Sequence, residues 1–291
     1  MMHSLARIVL VTGKGGVGKT SVAAGLATLA ARSGRRAIFV EFGDGESGKR
    51  AMTDSVRGVE HRVITSAKAV QAAADDMFGS AIVARAVTGN FAVKRMLRAA
   101  PALRELAQLE YVRSVAEKHP DHLVVVDMPA SGHGLAWLRV PAKLRDLLVT
   151  GPMHRIADRV HREVTSPGKA SVVLVSLPEL LVLEETVELA TSLRRDMGIT
   201  AARVIVNRVP APVSADALRI VTEQAAENPD PDREKLLRFL EARAGARAEV
   251  NAALDRADLA STGAPILLPL WPVDPSNTEI ATWIGTGAEV A

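Results

Sequence analysis

The chain has 291 residues, is 48% hydrophobic but only 3% aromatic, and carries a net charge of +3 with a pI near 9.4. That length allows one large core or two small ones, built from Ala, Val and Leu rather than from rings. So mild a charge excess gives no reason to expect nucleic acid as a partner. The absence of cysteine excludes disulfides, thiolate metal sites and cysteine nucleophiles.

The first predicted element is Arg7-Ile8-Val9-Leu10-Val11-Thr12, a β-rich run with no breaker that reads as a buried strand. It begins so near the first residue that no signal peptide is expected. The next stretch, Gly13-Lys14-Gly15-Gly16-Val17-Gly18-Lys19-Thr20, matches G-x-x-x-x-G-K-[ST], the phosphate-binding loop. Residues 21–32 are rich in Ala and Leu, contain no proline and run to Gly34, which predicts a helix with a glycine stop. A second apolar run, Ala37-Ile38-Phe39-Val40, completes a β-α-β unit.

The spacing has a chemical reason. Glycines let the backbone curl closely around a polyphosphate, and the loop N–H groups with the positive end of the following helix bind its oxygens. Lys19 is placed to reach the β- and γ-phosphates and the Thr20 hydroxyl to ligate Mg2+. Gly13 through Thr20, with Ser21 behind them, are therefore the candidate ATP-binding residues. A bare glycine-rich turn would explain the glycines but not Lys19-Thr20 at the helix start.

After the second strand, Glu41-Phe42-Gly43-Asp44-Gly45-Glu46-Ser47-Gly48 reads as a glycine- and acid-rich loop. Loops at this end of parallel strands line the ligand crevice, so it is placed to sense phosphate or metal; a plain surface turn would have the same composition. Residues 65–118 are helical in pattern, with breaks at Gly79, Gly89-Asn90 and Pro101, and are locally basic through Arg85, Lys94, Arg95, Arg98 and Arg104. A solvated helix face is the plainer account of those charges. Met77, Phe78, Phe91 and Met96 would suit either a core or an adaptable groove for an apolar client.

Leu123-Val124-Val125-Val126-Asp127 is an unbroken aliphatic run ending in a carboxylate. Downstream of a phosphate loop, Asp127 is the candidate partner of Thr20 in holding Mg2+; in isolation it would be a strand cap. Helices are expected at 141–150 and 153–164. His154 and His161 share a face there, with no third ligand near enough to make a metal site. A strand at 171–176, a helix at 179–197 and a strand at 202–207 continue the alternation. Asn228-Pro229-Asp230-Pro231 then precedes two polar helical segments, and Ile266-Leu267-Leu268 is a last apolar run. The longest apolar stretch, 172–183, is broken by Ser176, Pro178 and Glu179, so no integral membrane segment is expected and the protein is expected in the cytoplasm.

The pattern predicts an α/β fold, a mostly parallel sheet flanked by helices. Residues 1–291 are expected to form a single P-loop ATPase domain with a helical subdomain from about 65–118 and 141–164.

Further resemblance narrows the class. A lysine directly after the first glycine, Lys14, is the mark of the deviant Walker A loop. In families that carry it the lysine behaves like an arginine finger, crossing a dimer interface to the partner's nucleotide. Asp127-Met128-Pro129-Ala130-Ser131-Gly132-His133-Gly134-Leu135 resembles the switch II segment D-x-x-P-T-G-H-x-L of the ArsA family, the arsenite-pump and tail-anchored-protein-targeting ATPases. Here Pro129 stands one place early and Ser131 replaces Thr. Leu177-Pro178-Glu179 through Glu184-Glu185-Thr186 resembles that family's L-P-E-x-L-x-x-x-E-T stretch. Asn207 matches its adenine-reading asparagine, and the proline-rich run 268–275 its base-covering loop.

The chain also departs from that pattern. Without cysteine it has neither the metalloid ligands of the pumps nor the dimer zinc of the targeting factors, and it lacks the tandem halves of the pumps. The family's switch I aspartate falls on Gly43 or, with a one-residue slip, Asp44. The resemblance implies a Mg2+-dependent ATPase with Lys14, Asp44 and Asp127 as catalytic residues. It would work as a homodimer, or with a homologous partner, and couple to a hydrophobic protein client. A ParA/MinD-type positioning ATPase shares the loop, but the membrane form ends in a basic amphipathic helix and this sequence ends without one. A weakly hydrolysing regulatory subunit is the third reading, suggested by the altered switch I.

Overall fold

The computed structural model describes residues 5–78, 100–129, 134–228, 230–257 and 264–287. Among them, seven strands form one all-parallel sheet in the order β3-β2-β4-β1-β5-β6-β7. These are β1 (Ile8–Thr12), β2 (Ala37–Phe42), β3 (Val59–Ile64), β4 (Leu123–Asp127), β5 (Ala170–Ser176), β6 (Arg203–Val209) and β7 (Ile266–Pro269). The central strands β1 and β4 are buried at every position, which is why they read as unbroken aliphatic runs.

Helix α1 (Lys19–Arg32) lies on one face of the sheet, where Val22, Ala23, Leu26 and Ala27 meet Val9, Val11, Phe39 and Val125. Helix α2 (Glu46–Ala51) follows β2, and α3 (Ser66–Phe78) follows β3. On the opposite face, α4 (Pro101–Lys118), α5 (Gly134–Leu147), α6 (Pro152–Val160) and α7 (Leu180–Met197) pack on Ile8, Leu10, Val124, Val126, Val172 and Leu174. The apolar stripe expected on α4 supplies Leu106, Leu109, Val112 and Val115 to that core. Within this layer Arg113 of α4 is 5% exposed and holds the buried Glu110 through two bonds of 2.9 Å, while Arg159 of α6 reaches the same carboxylate at 2.8 Å. The Arg159–Glu110 bond ties α6 to α4, and removing Arg113 would leave the buried Glu110 charge with one partner fewer.

Helix α8 (Ala215–Glu227) has no buried residue and packs on α9 (Pro231–Ala257), which enters the core only through Val250, Ala253 and Ala257. Helix α10 (Asn277–Thr286) opens with a capping box between Ser276 and Glu279 and lays Ile280, Trp283 and Ile284 against the α1 side of the core. Asn277, fully buried, donates to Thr28 Oγ1 of α1 at 2.9 Å and accepts from the Asp54 backbone N–H at 2.8 Å.

The structure departs from the sequence expectation in several places. β2 runs to Phe42 rather than Val40, and residues 46–51 form a helix, so the segment taken as one loop is strand, short turn and helix. β3 and α8 have no counterpart among the predicted elements, and the two polar segments predicted after Pro231 are one 27-residue helix. The helix expected from Pro141 starts at Gly134 and carries that proline inside it, and α6 gives way to a single π turn over His161–Thr165. Phe91, Met96 and the Ala130–His133 part of the switch II resemblance lie outside the described residues. Among the described residues no helix is long and apolar enough to cross a membrane.

Candidate nucleotide-binding site

β1 ends at Thr12 and the chain turns through the glycine loop into α1. Gly18, at the helix N-cap, has φ of 92°, a left-handed conformation that glycine adopts at no steric cost. A Cβ there would also overlap the Asn207 amide. No side chain caps α1 among the described residues, so its first N–H groups and the positive end of its dipole remain available to an anion. Lys14, Gly15 and Gly16 are exposed on the loop while Val17 is buried beneath it.

Lys19 is 6% exposed and folds over the loop, its Nζ donating to the Lys14 carbonyl at 2.7 Å. Burial pushes its pKa below the usual lysine range, and the nearby Asp127 carboxylate opposes that shift. Thr20 Oγ1 donates to Asp127 Oδ2 at 2.6 Å, bridging the helix start and the tip of β4. Asp127 is 9% exposed, and its Oδ1 is buried with no hydrogen-bond partner among the described residues. Burial drives the Asp127 pKa up to about 6; the Thr20 bond and Lys19 pull it back, and Glu41 pushes it further. A desolvated carboxylate with one oxygen unfilled, beside a hydroxyl, is the hard-oxygen donor set that Mg2+ takes.

This carboxylate carries a stability cost that can be measured. A folded pKa raised from the ordinary 3.8 to about 6 means that ionised Asp127 destabilises the ligand-free fold fully above pH 6, and that the penalty shrinks as pH falls below the folded value and is gone only below the unfolded value. Asp127→Asn, in EDTA and without nucleotide, is expected to raise unfolding stability at pH 7.5 by up to about 3 kcal/mol. Denaturant titrations at pH 7.5 and 5 should show that gain shrinking with acidity; a constant gain, or a loss, would contradict it.

A cavity of about 470 Å³ opens over these residues, lined by Gly16 and Gly18 of the loop and by Lys19, Thr20, Ser21 and Asp127. It also takes in Glu41 and Ser47 of the acid-rich segment 41–48 and Asp274 of the proline-rich run, together with Arg50 and Arg208, which no sequence motif singles out. Its volume falls in the range of small-molecule sites. Glu41 is 5% exposed at the end of β2, in register with Asp127 on the neighbouring strand. The missed signal was the length of β2: two more residues of strand carry Glu41 into the cavity. Arg208 has φ of 61°, unusual for a non-glycine residue and often a mark of a functional position.

The other expected site residues sit at the margins. Asp44 lines an adjoining pocket with Phe42, Gly43, Thr65, Ser66, Gln108 and Pro129, and its Oδ1 accepts from the Glu46 N–H at 3.0 Å. Asn207 donates from Nδ2 to the Val17 carbonyl at 2.9 Å, and its Oδ1 accepts from the Arg208 N–H. It thus clamps β6 to the underside of the loop. Lys14 reaches Glu185 of α7 in its own chain at 2.9 Å. That pair is half-exposed on both sides, so it costs little to break.

Residues 8–249 match the CbiA family, described as the CobQ/CobB/MinD/ParA nucleotide binding domain. The chain belongs to this family. Its fold and glycine loop are those of a P-loop nucleotide-binding domain, and several relatives carry ATPase names. The ATPase BagA of Mycobacterium tuberculosis is 31% identical over 227 residues, 70% of this chain and 66% of BagA. This chain therefore spans just under two thirds of BagA's length. A Halobacterium salinarum protein bearing the name of an arsenical pump-driving ATPase is 25% identical over 229 residues, 69% of this chain and 35% of that protein. The septum site-determining protein MinD of Synechocystis is 29% identical over 191 residues, 62% of this chain and 69% of MinD.

Proposed function

We propose that the chain is a Mg2+-dependent ATPase of the ArsA-like type. The observation that carries the reading is the Thr20–Asp127 hydrogen bond, with Asp127 Oδ1 unfilled, beside a buried Lys19 at the uncapped start of α1. In this reading Gly13 through Ser21 bind the phosphates of ATP, and Thr20 and Asp127 hold Mg2+. When bound, the metal neutralises charge on the terminal phosphates. Lys19 supplies the fixed cation on those phosphates.

The chain works as a dimer, with itself or with a homologous ATPase. ATP draws two protomers together, Lys14 leaves Glu185 and reaches the partner's nucleotide, and hydrolysis releases the pair. The helical subdomain proposed for about 65–118 and 141–164 passes that change to a hydrophobic protein client. Phosphate release in Mg2+ but not in EDTA, together with an ATP-dependent rise in mass by sedimentation, is the expected result. A chain that binds no ATP at millimolar concentration would end the reading.

The family match and the MinD relative favour one further reading, a positioning ATPase of the ParA/MinD type. Co-purification with ATP-trapped protein discriminates: a protein client supports the ArsA-like reading, recruitment to a cellular structure the other. Gly43, which leaves switch I without a side chain, keeps a weakly hydrolysing regulatory subunit in view.

Arsenite at low micromolar concentration is expected to leave turnover unchanged, because soft thiolate ligands select that ion and the sequence has no cysteine. Dose-dependent stimulation would contradict this.

A further inference from the structure

We infer that Glu41, held in place by His61, orients the water that attacks the terminal phosphate. The inference rests on the ATPase reading above and assigns to that site a residue that the glycine-loop motif does not contain.

A carboxylate buried beside a second carboxylate at the tip of β2 is costly. Glu41 is 5% exposed, lines the cavity with Lys19, Thr20 and Asp127, and stands in register with Asp127. Strands β2 and β4 are parallel neighbours, so both side chains project to the face that carries α1.

The supports of Glu41 fall on one oxygen. Its Oε2 accepts from the Gly48 backbone N–H at 3.0 Å and meets His61 Nε2 at 3.1 Å. Oε1 takes part in no hydrogen bond among the described residues, which leaves it for the cavity. His61 is fixed in turn by stacking on Phe39, with ring centroids 4.9 Å apart. Gly48 completes the arrangement: a Cβ at that position would overlap both the Glu41 carboxylate and the His61 ring. A carboxylate held by one oxygen, with the other turned to a phosphate site, is built to hold a water in line. Asp44 commits Oδ1 to its own turn, at the adjoining pocket.

The step balances without further reactants. The oxygen of the water forms a bond to the terminal phosphorus while the bond from that phosphorus to the bridging oxygen breaks. The electron pair leaves with ADP, and the proton of the water passes to the released phosphate. Glu41 accepts a hydrogen bond from the water throughout and is not consumed. His61 touches no reacting atom; it is a positioning residue.

The test uses the full chain, with phosphate release measured against ATP and against Mg2+, and ATP binding measured by calorimetry. Glu41→Gln is expected to lower kcat roughly 10²-fold while ATP affinity and the Mg2+ concentration for half-maximal rate stay within about threefold of wild type. His61→Phe, which keeps the stacking and loses the donor, should lower kcat roughly tenfold at unchanged KM. His61→Gln should restore part of that loss, as a merely structural role would not. Wild-type turnover in Glu41→Gln, loss of ATP binding in that variant, or a shifted Mg2+ requirement would each overturn the inference and leave the ATPase reading standing. So would a loss of turnover in Asp44→Asn alone. Absence of turnover in the wild-type chain would overturn both.

Discussion

Lys19→Ala is expected to lose roughly ten- to over a hundredfold in ATP affinity, because a charge-assisted contact of this kind is worth about 1.5–3 kcal/mol. Lys19 stands at the first position of α1, 6% exposed, with its ammonium folded onto the Lys14 carbonyl. Burial already disfavours its charge, so the site holds a cation that is waiting for an anion. A polyphosphate entering the loop meets that cation together with uncapped helix N–H groups; without it, the charge-assisted contact from within the loop and helix start is lost. Calorimetry on the variant settles the point. Because Asp127 would then lie close to incoming phosphates with less opposing charge, weakening should be larger for ATP than for ADP. Affinity equal to wild type for both nucleotides would remove the glycine loop from the functional account.

Lys14→Ala is expected to do something different: near-normal ATP binding with turnover reduced on the order of 10³-fold, the range over which cations supplied across an interface act in phosphoryl transfer. In the single chain the Lys14 ammonium is drawn 2.9 Å from Glu185 on α7, a contact spanning 171 positions of sequence. Both partners are half-exposed, so the contact is easily exchanged for a stronger one with a nucleotide. Mixing Lys14→Ala with Lys19→Ala separates action within a chain from action across a dimer. In a mixed pair the only nucleotide sits in the Lys14→Ala protomer and faces an intact Lys14 from its partner. Recovered turnover in the mixture supports the crossing. Full turnover by Lys14→Ala alone at saturating ATP would rule it out.

The sequence made the middle of the sheet legible and its margins obscure, for physical reasons. β1, β4 and β5 lie inside the sheet, covered on both faces, so the chain there must be aliphatic and the run is visible. β3 is an edge strand whose Glu60, His61 and Arg62 are only partly buried or exposed, so its residues mix with those of a turn. α8 has no buried residue and packs on α9, outside the core. The same division holds at the site. The glycine loop and Asp127 are local motifs, readable because chemistry fixes their spacing. Glu41 becomes visible only once β2 is carried two residues further and paired in register with β4. Arg208 reaches the same cavity from β6, and nothing local distinguishes it from a surface charge.

The placement of α10 bears on what counts as a folding unit. The family match ends at residue 249, yet α10 begins at Asn277 and covers α1 with Ile280, Trp283 and Ile284. Asn277 also occupies the hydrogen-bonding groups of Thr28 and Asp54, far from it in sequence. A fragment trimmed to the matched residues would uncover the apolar back of the helix that carries Lys19 and Thr20, and leave buried polar groups without their partner. The glycine loop therefore depends on a segment beyond the matched residues, which its own motif gives no hint of.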